Sequence, residues 1–484
     1  MDVAEAFRDP PGLALLESAR PGRTGRWSLL TADPVAILEA AADGADPFAD
    51  ARALLARLAG GEAEIDEADG GAEGDEVVDA GASAFRDADR PPFSGGLVGY
   101  LGYDLGRRLE RLPSIAAADQ PLPELRLALH DWAIAWDRRT GAAWLAGRAL
   151  DGDAARLDRR LAAVREQLAS PSASSASSAS SASASASASS LSVGGLAFTS
   201  GTSRAGWVEG VEAVRAAIAS GEIYQANLTR RLATPFAADP WPLFRRLRTG
   251  DPALFAGYLD LGEDPRTHTH RALLSASPEP FLAVDARGHV STDPIKGTRP
   301  RGRTHEEDRE FARELLASRK DQAENVMIVD VLRNDLGRVC VPGTVRVPRL
   351  LRLERTATVQ HLVTTVTGRL APGKDAFDLL AASFPGGSIT GAPKIRAMEV
   401  IERLEPVRRG PYCGTMLWLG ADGRMGSSIM IRTFVADGAR LTLHVGGGIT
   451  YRSDPAAEWD ETVAKAHGPL SSIGAVELRE EESP

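Results

Sequence analysis

Two stretches of the sequence place carboxylates at spacings that would share one face of a helix. In "KDQAENVMIVDVLRNDLG", Asp321 and Glu324 are three residues apart, and "AEWDETVAKAHG" spaces Glu458, Glu461 and Lys465 at three and then four. A solvated helix face often carries such spacing. If the fold brings the two faces together, their oxygens would suit Mg²⁺, which takes one or two direct carboxylates and keeps several waters.

A single lysine, Lys296, lies in the segment "DPIKGTRPRG", with arginines close behind it. Most lysines are solvated point charges on flexible stems. A lysine that acts as a nucleophile must be uncharged, and nearby cations together with partial burial favour the neutral amine. Lys296 is therefore a candidate nucleophile. Its surroundings in the fold decide whether it is a neutral nucleophile or an ordinary solvated charge.

Two features of the last third of the chain suit an anionic ligand. The triplet Gly446, Gly447 and Gly448 ends an apolar strand pattern, where backbone amides could approach a ligand carboxylate; the alternative is a bulge or a sheet corner. Arg432 alternates with large apolar residues in "SSIMIRTF". A guanidinium in such a strand needs an anion, either an internal aspartate or a substrate carboxylate.

Several other patterns are incomplete. "PGGSITGAPKIR" has Ala392-Pro393 where a phosphate-binding loop needs glycine followed directly by lysine, and "SGGLVGYLGYDLG" lacks the spacing of a dinucleotide site. His361 is compatible with a lone core histidine. Cys340 and Cys413 are the only cysteines, too few for a zinc cluster or a disulfide framework.

The composition indicates a globular protein, since 43% of the 484 residues are hydrophobic and 25% are charged. A formal net charge of −10 argues against DNA as the main ligand. The N-terminus "MDVAEAFRDPPG" has no apolar signal core, and no apolar run approaches the roughly 18 residues that span a bilayer. We expect a cytoplasmic protein with neither a nucleic-acid nor a membrane partner.

Periodicity predicts helices mixed with antiparallel strands. Residues 306–337 predict a long helical stretch broken in two, and a closing helix is expected from about Pro455. Residues 413–450 predict three apolar strands separated by the hairpin signals Asp422-Gly423 and Asp437-Gly438. This mixture predicts an α+β architecture with large antiparallel sheets.

Two stretches offer little to a core. The nearly pure serine and alanine run from Ser170 to Ser192 predicts a flexible linker, and the acidic, glycine-rich stretch from Gly60 predicts a solvated loop. We therefore expect four parts: an N-terminal region, a linker, a catalytic domain and a C-terminal tail. Their predicted bounds are 1–165, 166–194, 195–475 and 476–484.

Eight motifs, in order, resemble those of the chorismate-utilising enzymes. They are "PIKGTRPRG", "KDQAENVMIVDVLRNDLGRV", "TVQHLVTTV", "FPGGSITGAPKIRAMEVI", "GPYCGTM", "SSIMIRTF", "GGGIT" and "EWDETVAK". They cover roughly residues 199–473, and "LLESA", "GRWSLL" and "GGLVGYLGYDLG" resemble the N-terminal region of the family's aminating members. The resemblance implies a composite two-layer sandwich of large antiparallel sheets flanked by helices, as in anthranilate synthase component I, with both halves of the chain contributing.

The resemblance also implies chorismate as substrate, Mg²⁺ as cofactor and a role for each matching residue. Glu324 and Glu461 match metal-ligating glutamates, while Asp321 and Glu458 match acids that act through metal-bound water. Glu279, in "SASPEPF", matches the general acid for the departing ring hydroxyl, and burial could keep it protonated. The other matches contact or line the substrate: Gly297, Thr298, His361, Thr390, Tyr412, Arg432, Gly446, Gly447, Gly448 and Lys465.

Within this family Lys296 is the discriminating position. Anthranilate synthases usually have alanine there, whereas "PIKGT" resembles aminodeoxychorismate synthase component I, in which this amine attacks ring C2 as the 4-hydroxyl leaves. Ammonia then adds at C4 and expels the lysine, giving 4-amino-4-deoxychorismate. Members that add water carry a lysine base where this sequence has Gln225, which argues against water as the nucleophile.

Amination needs a source of ammonia. The chain lacks the cysteine-centred glutaminase signature, so the resemblance implies a separate glutamine amidotransferase subunit, with free ammonia as a poorer substitute. Elimination of pyruvate to p-aminobenzoate, on the way to folate, would belong to a different enzyme, a lyase.

Two alternatives remain open. "LLESA" with "GRWS" resembles the tryptophan pocket of feedback-inhibited anthranilate synthase, with Ser18 as a contact, although some aminodeoxychorismate synthases also hold tryptophan. The first alternative is thus an anthranilate synthase component I with an unusual lysine. The second is a silent subunit that binds tryptophan or chorismate as a regulator, which the filled metal and acid positions disfavour.

Overall fold

A computed structural model describes residues 2–19, 25–40, 46–58, 60, 63–67, 90–169, 195–264, 267–355 and 359–478. Its helices are α1 (Asp2–Ala6), α2 (Ala49–Ala56), α3 (Gly106–Leu109), α4 (Ala154–Ala169), α5 (Arg204–Ala219), α6 (Trp241–Gly250), α7 (His305–Ala317), α8 (Arg319–Gly337), α9 (Ala376–Ser383), α10 (Lys394–Leu404) and α11 (Pro455–Ser472). None of the helices in these ranges is long and apolar enough to cross a membrane.

The strands of the same ranges, in chain order, fall into a first half and a second half. The first are β1 (Ala14–Glu17), β2 (Trp27–Thr31), β3 (Ala36–Leu38), β4 (Ala63–Glu67), β5 (Gly96–Leu101), β6 (Leu125–His130), β7 (Trp132–Asp137), β8 (Ala143–Arg148), β9 (Leu196–Ser200), β10 (Gln225–Pro235), β11 (Phe255–Glu263) and β12 (His270–Ser277). The others are β13 (Pro280–Val284), β14 (His289–Thr292), β15 (Ile295–Pro300), β16 (Arg346–Arg355), β17 (Val359–Arg369), β18 (Gly391–Ala392), β19 (Thr415–Gly420), β20 (Met425–Ile429), β21 (Thr433–Asp437), β22 (Arg440–Ile449) and β23 (Ala475–Glu477).

Two large sheets hold all of these strands. The 13-stranded sheet runs β23-β9-β10-β22-β21-β12-β11-β1-β2-β7-β8-β4, with β18 paired to β10. The 10-stranded sheet runs β15-β17-β14-β13-β20-β19-β5-β6-β3, with β16 paired to β17. Pairing is antiparallel except between β23 and β9. The α+β fold class with large antiparallel sheets is confirmed.

The sheets pack face to face through a shared core. Leu29 and Leu273 of the larger sheet join one buried cluster with Val98, Tyr100 and Met416 of the smaller one. Helices cover the outer faces, where their apolar side chains are removed from water; α4, α6 and α11 pack in a second cluster with the larger sheet, and α8 and α9 in a third with the smaller.

Both halves of the chain contribute to both sheets. In the larger sheet, β1 pairs with β11, so that Ala14 lies opposite Leu259. In the smaller sheet, β5 pairs with β19, so that Leu101 lies opposite Thr415. The N-terminal region and the catalytic region are therefore interleaved in one composite sandwich, as the resemblance implies.

The long helical stretch is broken where the sequence predicts a break. Ser318 has an extended backbone between α7 and α8, and its hydroxyl accepts the backbone N–H of Asp321 as the N-cap of α8. The cap restarts the helix one residue after α7 ends. It also fixes the direction of α8, which carries Asp321 and Glu324.

The hairpins at Asp422-Gly423 and Asp437-Gly438 are present, but the segment forms four strands, β19 to β22, instead of three. The chain leaves the smaller sheet after β20 and enters the larger one at β21, so the backbone must turn between them. Arg432 lies in this crossover, with φ of 49°. The expectation that Arg432 alternates within a strand is therefore wrong.

Three predicted boundaries also need correction. Helix α4 continues to Ala169, past residue 165, and β23 places residues 475–477 in the sheet instead of in a tail. Residues 63–67 of the acidic stretch form β4, because the alternation in "AEIDE" suits an edge strand paired with β8. The rest of that stretch from residue 68, and residues 170–194, lie outside the described ranges.

The last strand also fixes β10. The buried guanidinium of Arg230 binds Glu477 through Nη1 to Oε1 (2.5 Å) and Nη2 to Oε2 (3.2 Å). Its Nε donates to Thr462 Oγ1 at 2.7 Å, and its plane lies 4.3 Å from the Trp459 ring centroid. These contacts join the end of the described chain to the strand that begins at Gln225.

Candidate active site

Lys296 projects from β15 into a group of carboxylates. Its Nζ donates a hydrogen bond to the carbonyl oxygen of Ser388 at 3.2 Å. Its charge acts on the carboxyls of the buried Glu279, the partly buried Glu324 and the exposed Glu461, which come from three other parts of the chain. Residues more than 160 positions apart in sequence therefore meet at one amine.

The arginines of the same segment do not surround Lys296, contrary to expectation. Arg299 Nη2 donates to Asp321 Oδ2 at 3.3 Å, and Arg301 binds Asp308 through two hydrogen bonds of 2.6 and 3.1 Å. Each guanidinium therefore has its own carboxylate on α7 or α8. The charges that act on Lys296 are anionic.

Gly297 brings β15 close to α8. It has φ of +82°, and a Cβ built there would lie 2.9 Å from Asp321 Cβ. A side chain at this position would clash with the first turn of α8, and the backbone conformation favours glycine. The glycine thus sets how near Lys296 comes to the acids of α8.

Glu279 lies just before β13 and is almost fully buried, with 8% of its surface exposed. Burial raises the pKa of its carboxyl, and the Lys296 charge, the Ser388 hydroxyl and the backbone N–H of Ile295 oppose that rise only in part. A carboxyl with a raised pKa stays protonated to higher pH. Glu279 is thus suited to act as an acid beside the Lys296 amine, as its matched role requires.

The two carboxylate-bearing helices meet. Burial raises the pKa of Glu324 on α8, and the carboxylates of Asp321 and Glu458 add to that rise. Burial likewise raises the pKa of Glu458, helped by Glu461. Burial also opposes ionisation of Glu461, but Lys465, whose Nζ lies 2.7 Å from Glu461 Oε1, outweighs it and lowers the pKa. All four predicted acids therefore share one electrostatic cluster.

This cluster fits a hard divalent cation. Glu324 Oε1 is buried and has no hydrogen-bond partner among the described residues, so it keeps free lone pairs inside the protein. In the described residues no three His, Cys, Asp or Glu side chains are close enough to hold an ion by themselves. Mg²⁺ needs only one or two direct carboxylates and fills its remaining positions with water or substrate oxygens.

The glycine triplet lies in regular strand pairing with β10, not in a bulge. A Cβ at Gly447 would lie 3.2 Å from Glu458 Oε2 and 3.7 Å from both Glu461 Oε1 and Lys465 Nζ. The oxygen of Gly446 accepts a hydrogen bond from Lys465 at 2.8 Å. The missing side chains let α11 bring its acids directly over the strand.

Gln225 lies on the other side of this strand. A Cβ at Gly448 would be 2.4 Å from its Nε2, so only glycine leaves room for the amide. Gln225 is 1% exposed, yet neither of its side-chain polar atoms has a hydrogen-bond partner in the part of the chain that the structure describes. A buried amide without partners is costly, which suggests that a ligand completes it.

Four other residues predicted to contact or line the substrate make hydrogen bonds or ring contacts within the protein. Thr298 Oγ1 and His361 Nδ1 are 2.9 Å apart across β15 and β17. The Thr390 hydroxyl is buried and donates to the Gly386 oxygen at 2.9 Å, so it is engaged within its own loop. The Tyr412 ring stacks on the His444 ring, with 4.8 Å between the ring centroids. Burial raises the pKa of the Tyr412 hydroxyl.

Arg432 lies in the crossover between β20 and β21, and Ser18 follows β1. The Arg432 guanidinium is 3.5 Å from Asp251 Oδ1, which supplies the internal aspartate foreseen as one possible partner. Ser18 is buried directly after β1, and β21, β12 and β11 separate β1 from the glycine-bearing β22. A pocket at Ser18 would therefore be distinct from the Lys296 cluster.

Two neighbouring features escaped the sequence analysis. Lys320 lies between the α8 and α11 acids, and its i, i+4 spacing to Glu324 was available as a signal. Arg409 is buried and donates to both Glu405 carboxylate oxygens (2.9 and 2.7 Å) and to the carbonyl oxygen of Asn227 (2.6 Å). Glu405 in turn accepts the backbone N–H and hydroxyl of Thr229.

Comparison with known proteins identifies the family of the chain. The sequence profile of the family described as chorismate binding enzyme matches residues 39–471. The chain belongs to this family. It is an enzyme that acts on chorismate.

Relatives with two different names are similar to this chorismate enzyme. It is 42% identical over 376 residues to aminodeoxychorismate synthase component 1 of Salmonella typhimurium, covering 78% of this chain and 76% of that one. It is 41% identical over 393 residues to anthranilate synthase component 1 of Thermus thermophilus, covering 81% and 80%. A crystal structure of anthranilate synthase component I from Streptococcus pneumoniae superimposes with a TM-score of 0.73 at 27% identity, covering 92% of each chain.

Proposed function

We propose that this enzyme is the large component of an aminodeoxychorismate synthase, which converts chorismate and ammonia to 4-amino-4-deoxychorismate. The observation that carries the proposal is the placement of Lys296, because its amine lies among acids of three other parts of the chain, beside the buried Glu279, whose pKa is raised by burial. The relatives do not decide the matter, since both named activities occur at about the same identity.

Lys296 and Glu279 would act on opposite ends of one displacement. Lys296, once its ammonium proton has passed to one of the neighbouring carboxylates, forms a bond to ring C2, the ring double bonds shift, and the C4–oxygen bond breaks. Glu279 gives its proton to the departing oxygen, so that water leaves instead of hydroxide. Ammonia then forms a bond to C4, the double bonds shift back, and the C2–nitrogen bond breaks to release Lys296.

The other residues would hold the ring for this exchange. Glu324 and Glu461, with Asp321 and Glu458 behind them, would bind Mg²⁺, which would supply positive charge for a substrate carboxylate. Lys465 and the glycines of β22 would lie along the other side of that carboxylate. The unpaired amide of Gln225 would gain a hydrogen-bond partner from the substrate or the incoming ammonia.

Ammonia would come from a glutamine amidotransferase subunit. Support for a partner is indirect: the chain lacks the cysteine-centred glutaminase signature, and the relatives are named as component 1 of their enzymes. Both cysteines of the chain are buried, and burial raises the pKa of Cys413 to about 12, which disfavours a thiolate.

The test is to identify the product. The protein is incubated with chorismate, Mg²⁺ and ammonium, with and without an amidotransferase and glutamine, and the product is identified by mass and fluorescence. We expect 4-amino-4-deoxychorismate, which retains the enolpyruvyl group. Anthranilate would overturn the proposal in favour of the other activity, and no turnover with the amidotransferase present would favour a silent regulator.

A further inference from the structure

We infer that Lys320 is a tethered counter-cation for the candidate metal site, which holds Glu324 and Glu458 together until a divalent ion displaces it. The inference rests on the Mg²⁺ assignment within the proposed function, but not on which amine product the enzyme makes.

Lys320 joins acids of two different helices. Its Nζ lies 3.9 Å from Glu324 Oε1 on α8 and 3.8 Å from Glu458 Oε1 on α11. Its charge also reaches Glu461, one turn along α11. One ammonium therefore stands where the acids of both helices converge, and without it their mutual repulsion would be opposed by fewer cations.

The contacts are ion pairs without hydrogen bonds. Both distances exceed the 2.7–3.2 Å or so of an N–H···O bond, and Glu324 Oε1 has no hydrogen-bond partner. Lys320 thus offsets the negative charge but leaves the lone pairs of Glu324 Oε1 unfilled. A Mg²⁺ ion, which approaches oxygen to about 2.0–2.1 Å, would use the same oxygens more completely.

Lys320 is much more exposed to solvent than the two glutamates with which it pairs. The Lys320 side chain is 53% exposed, whereas those of Glu324 and Glu458 are 14% and 7% exposed. The ammonium can therefore move into solvent on its four-carbon stem while both carboxylates stay in place. Because an ammonium and a divalent cation repel each other at shared ligands, the ion pair and the bound metal exclude one another.

Lys465 is a contrasting neighbour. It lies 2.7 Å from Glu461 Oε1 and donates a 2.8 Å hydrogen bond to the Gly446 oxygen, so two short contacts fix its position. Lys320 has no comparable hydrogen bond among the described residues. The displaceable cation is thus Lys320.

The test compares metal binding by the full chain and its Lys320→Gln variant without chorismate. Titration calorimetry with Mg²⁺, and with Mn²⁺ as a spectroscopic probe, gives the dissociation constants. We expect Lys320→Gln to bind the ion about fivefold more tightly, as the loss of two modest ion pairs predicts. We also expect its metal-free melting temperature to fall and its stabilisation by saturating Mg²⁺ to increase.

Two control variants sharpen the comparison. Lys374→Gln removes a lysine with the same i, i+4 geometry, paired with Asp378 at 3.0 Å on α9, and should leave metal affinity unchanged. Lys320→Arg keeps the charge and should bind the ion much as the wild type does. Unchanged or weaker binding by Lys320→Gln would overturn the inference, as would equal gains in Lys320→Gln and Lys320→Arg. If no protein binds either ion, the inference and the metal assignment both fail, while the product assay still tests the amination.

Discussion

Two polar clusters inside this enzyme are built from similar residues but are satisfied to different degrees. Around Arg409, the guanidinium binds Glu405 twice, donates to the carbonyl oxygens of Ile389 and Asn227, and lies 4.6 Å from the Tyr103 ring centroid. Around Lys296, the amine has one hydrogen bond of 3.2 Å, and Glu324 Oε1 has none.

This difference indicates that the Arg409 cluster stabilises the fold and that the Lys296 cluster is available to a ligand. A buried charge with every hydrogen bond filled has nothing left to offer a ligand, and its removal leaves its partner uncompensated. Buried polar atoms without partners cost stability in the free protein, and a bound substrate or ion can satisfy them. Changes at Arg409 should therefore affect folding, and changes at Lys296 should affect turnover.

Among the tests of this contrast, Lys296→Ala should have the largest effect on the rate. We expect amination to fall by at least about 10³-fold, because the amine proposed to form the bond to C2 is lost. Mass spectrometry of the quenched reaction should lose any covalent adduct found in the wild type. The free energy of unfolding should change by less than about 1 kcal/mol. Retention of most of the activity would show that the amine is not the nucleophile.

Arg409→Met tests the other cluster. The change leaves Glu405 buried without its cation, and we expect the free energy of unfolding to fall by about 3–5 kcal/mol in urea titrations. The double variant Arg409→Met/Glu405→Met removes both charges and should recover part of that loss. If the double variant is no more stable than the single one, pairing between the two side chains is not what stabilises this region.

Glu279 should give a smaller effect that depends on pH. Burial raises its pKa, so the carboxyl holds its proton at low pH and loses it as pH rises through the raised value. Because the protonated form is the active one, kcat/KM should fall as the pH rises through the raised pKa of Glu279. Glu279→Gln should lower the rate about 10²-fold and abolish that pH-dependent fall. A wild-type profile that rises across the same range would assign the acid to another group.

Much of the site could be anticipated because its residue types stand in motifs. The i, i+3 and i, i+4 spacings placed Asp321, Glu324, Glu458 and Glu461 on helix faces, and the structure joins those faces. Spacing alone could not show that they meet, since more than 130 positions separate Glu324 from Glu458 and only the sheet order brings the two helices together.

Other features depend on tertiary context that local patterns do not encode. Arginines near Lys296 in sequence pair with carboxylates on α7 and α8, and nothing in the local pattern shows which helices pack beside β15. The crossover at Arg432 divides an apolar run that the sequence predicts as one strand. The residues before the crossover enter one sheet and those after it enter the other. Both sheets bury apolar side chains, so the sequence pattern does not change at the crossover. The β4 strand gave only a weak signal because it lies at an edge and its residues are mostly acidic.

The ion pair between Arg230 and Glu477 has a practical consequence for handling this enzyme. Trimming the chain before Glu477 would strip a buried guanidinium of its counter-charge on the strand that begins with Gln225. Loss of activity after proteolysis that removes Glu477 would therefore reflect a displaced strand and not a missing catalytic group.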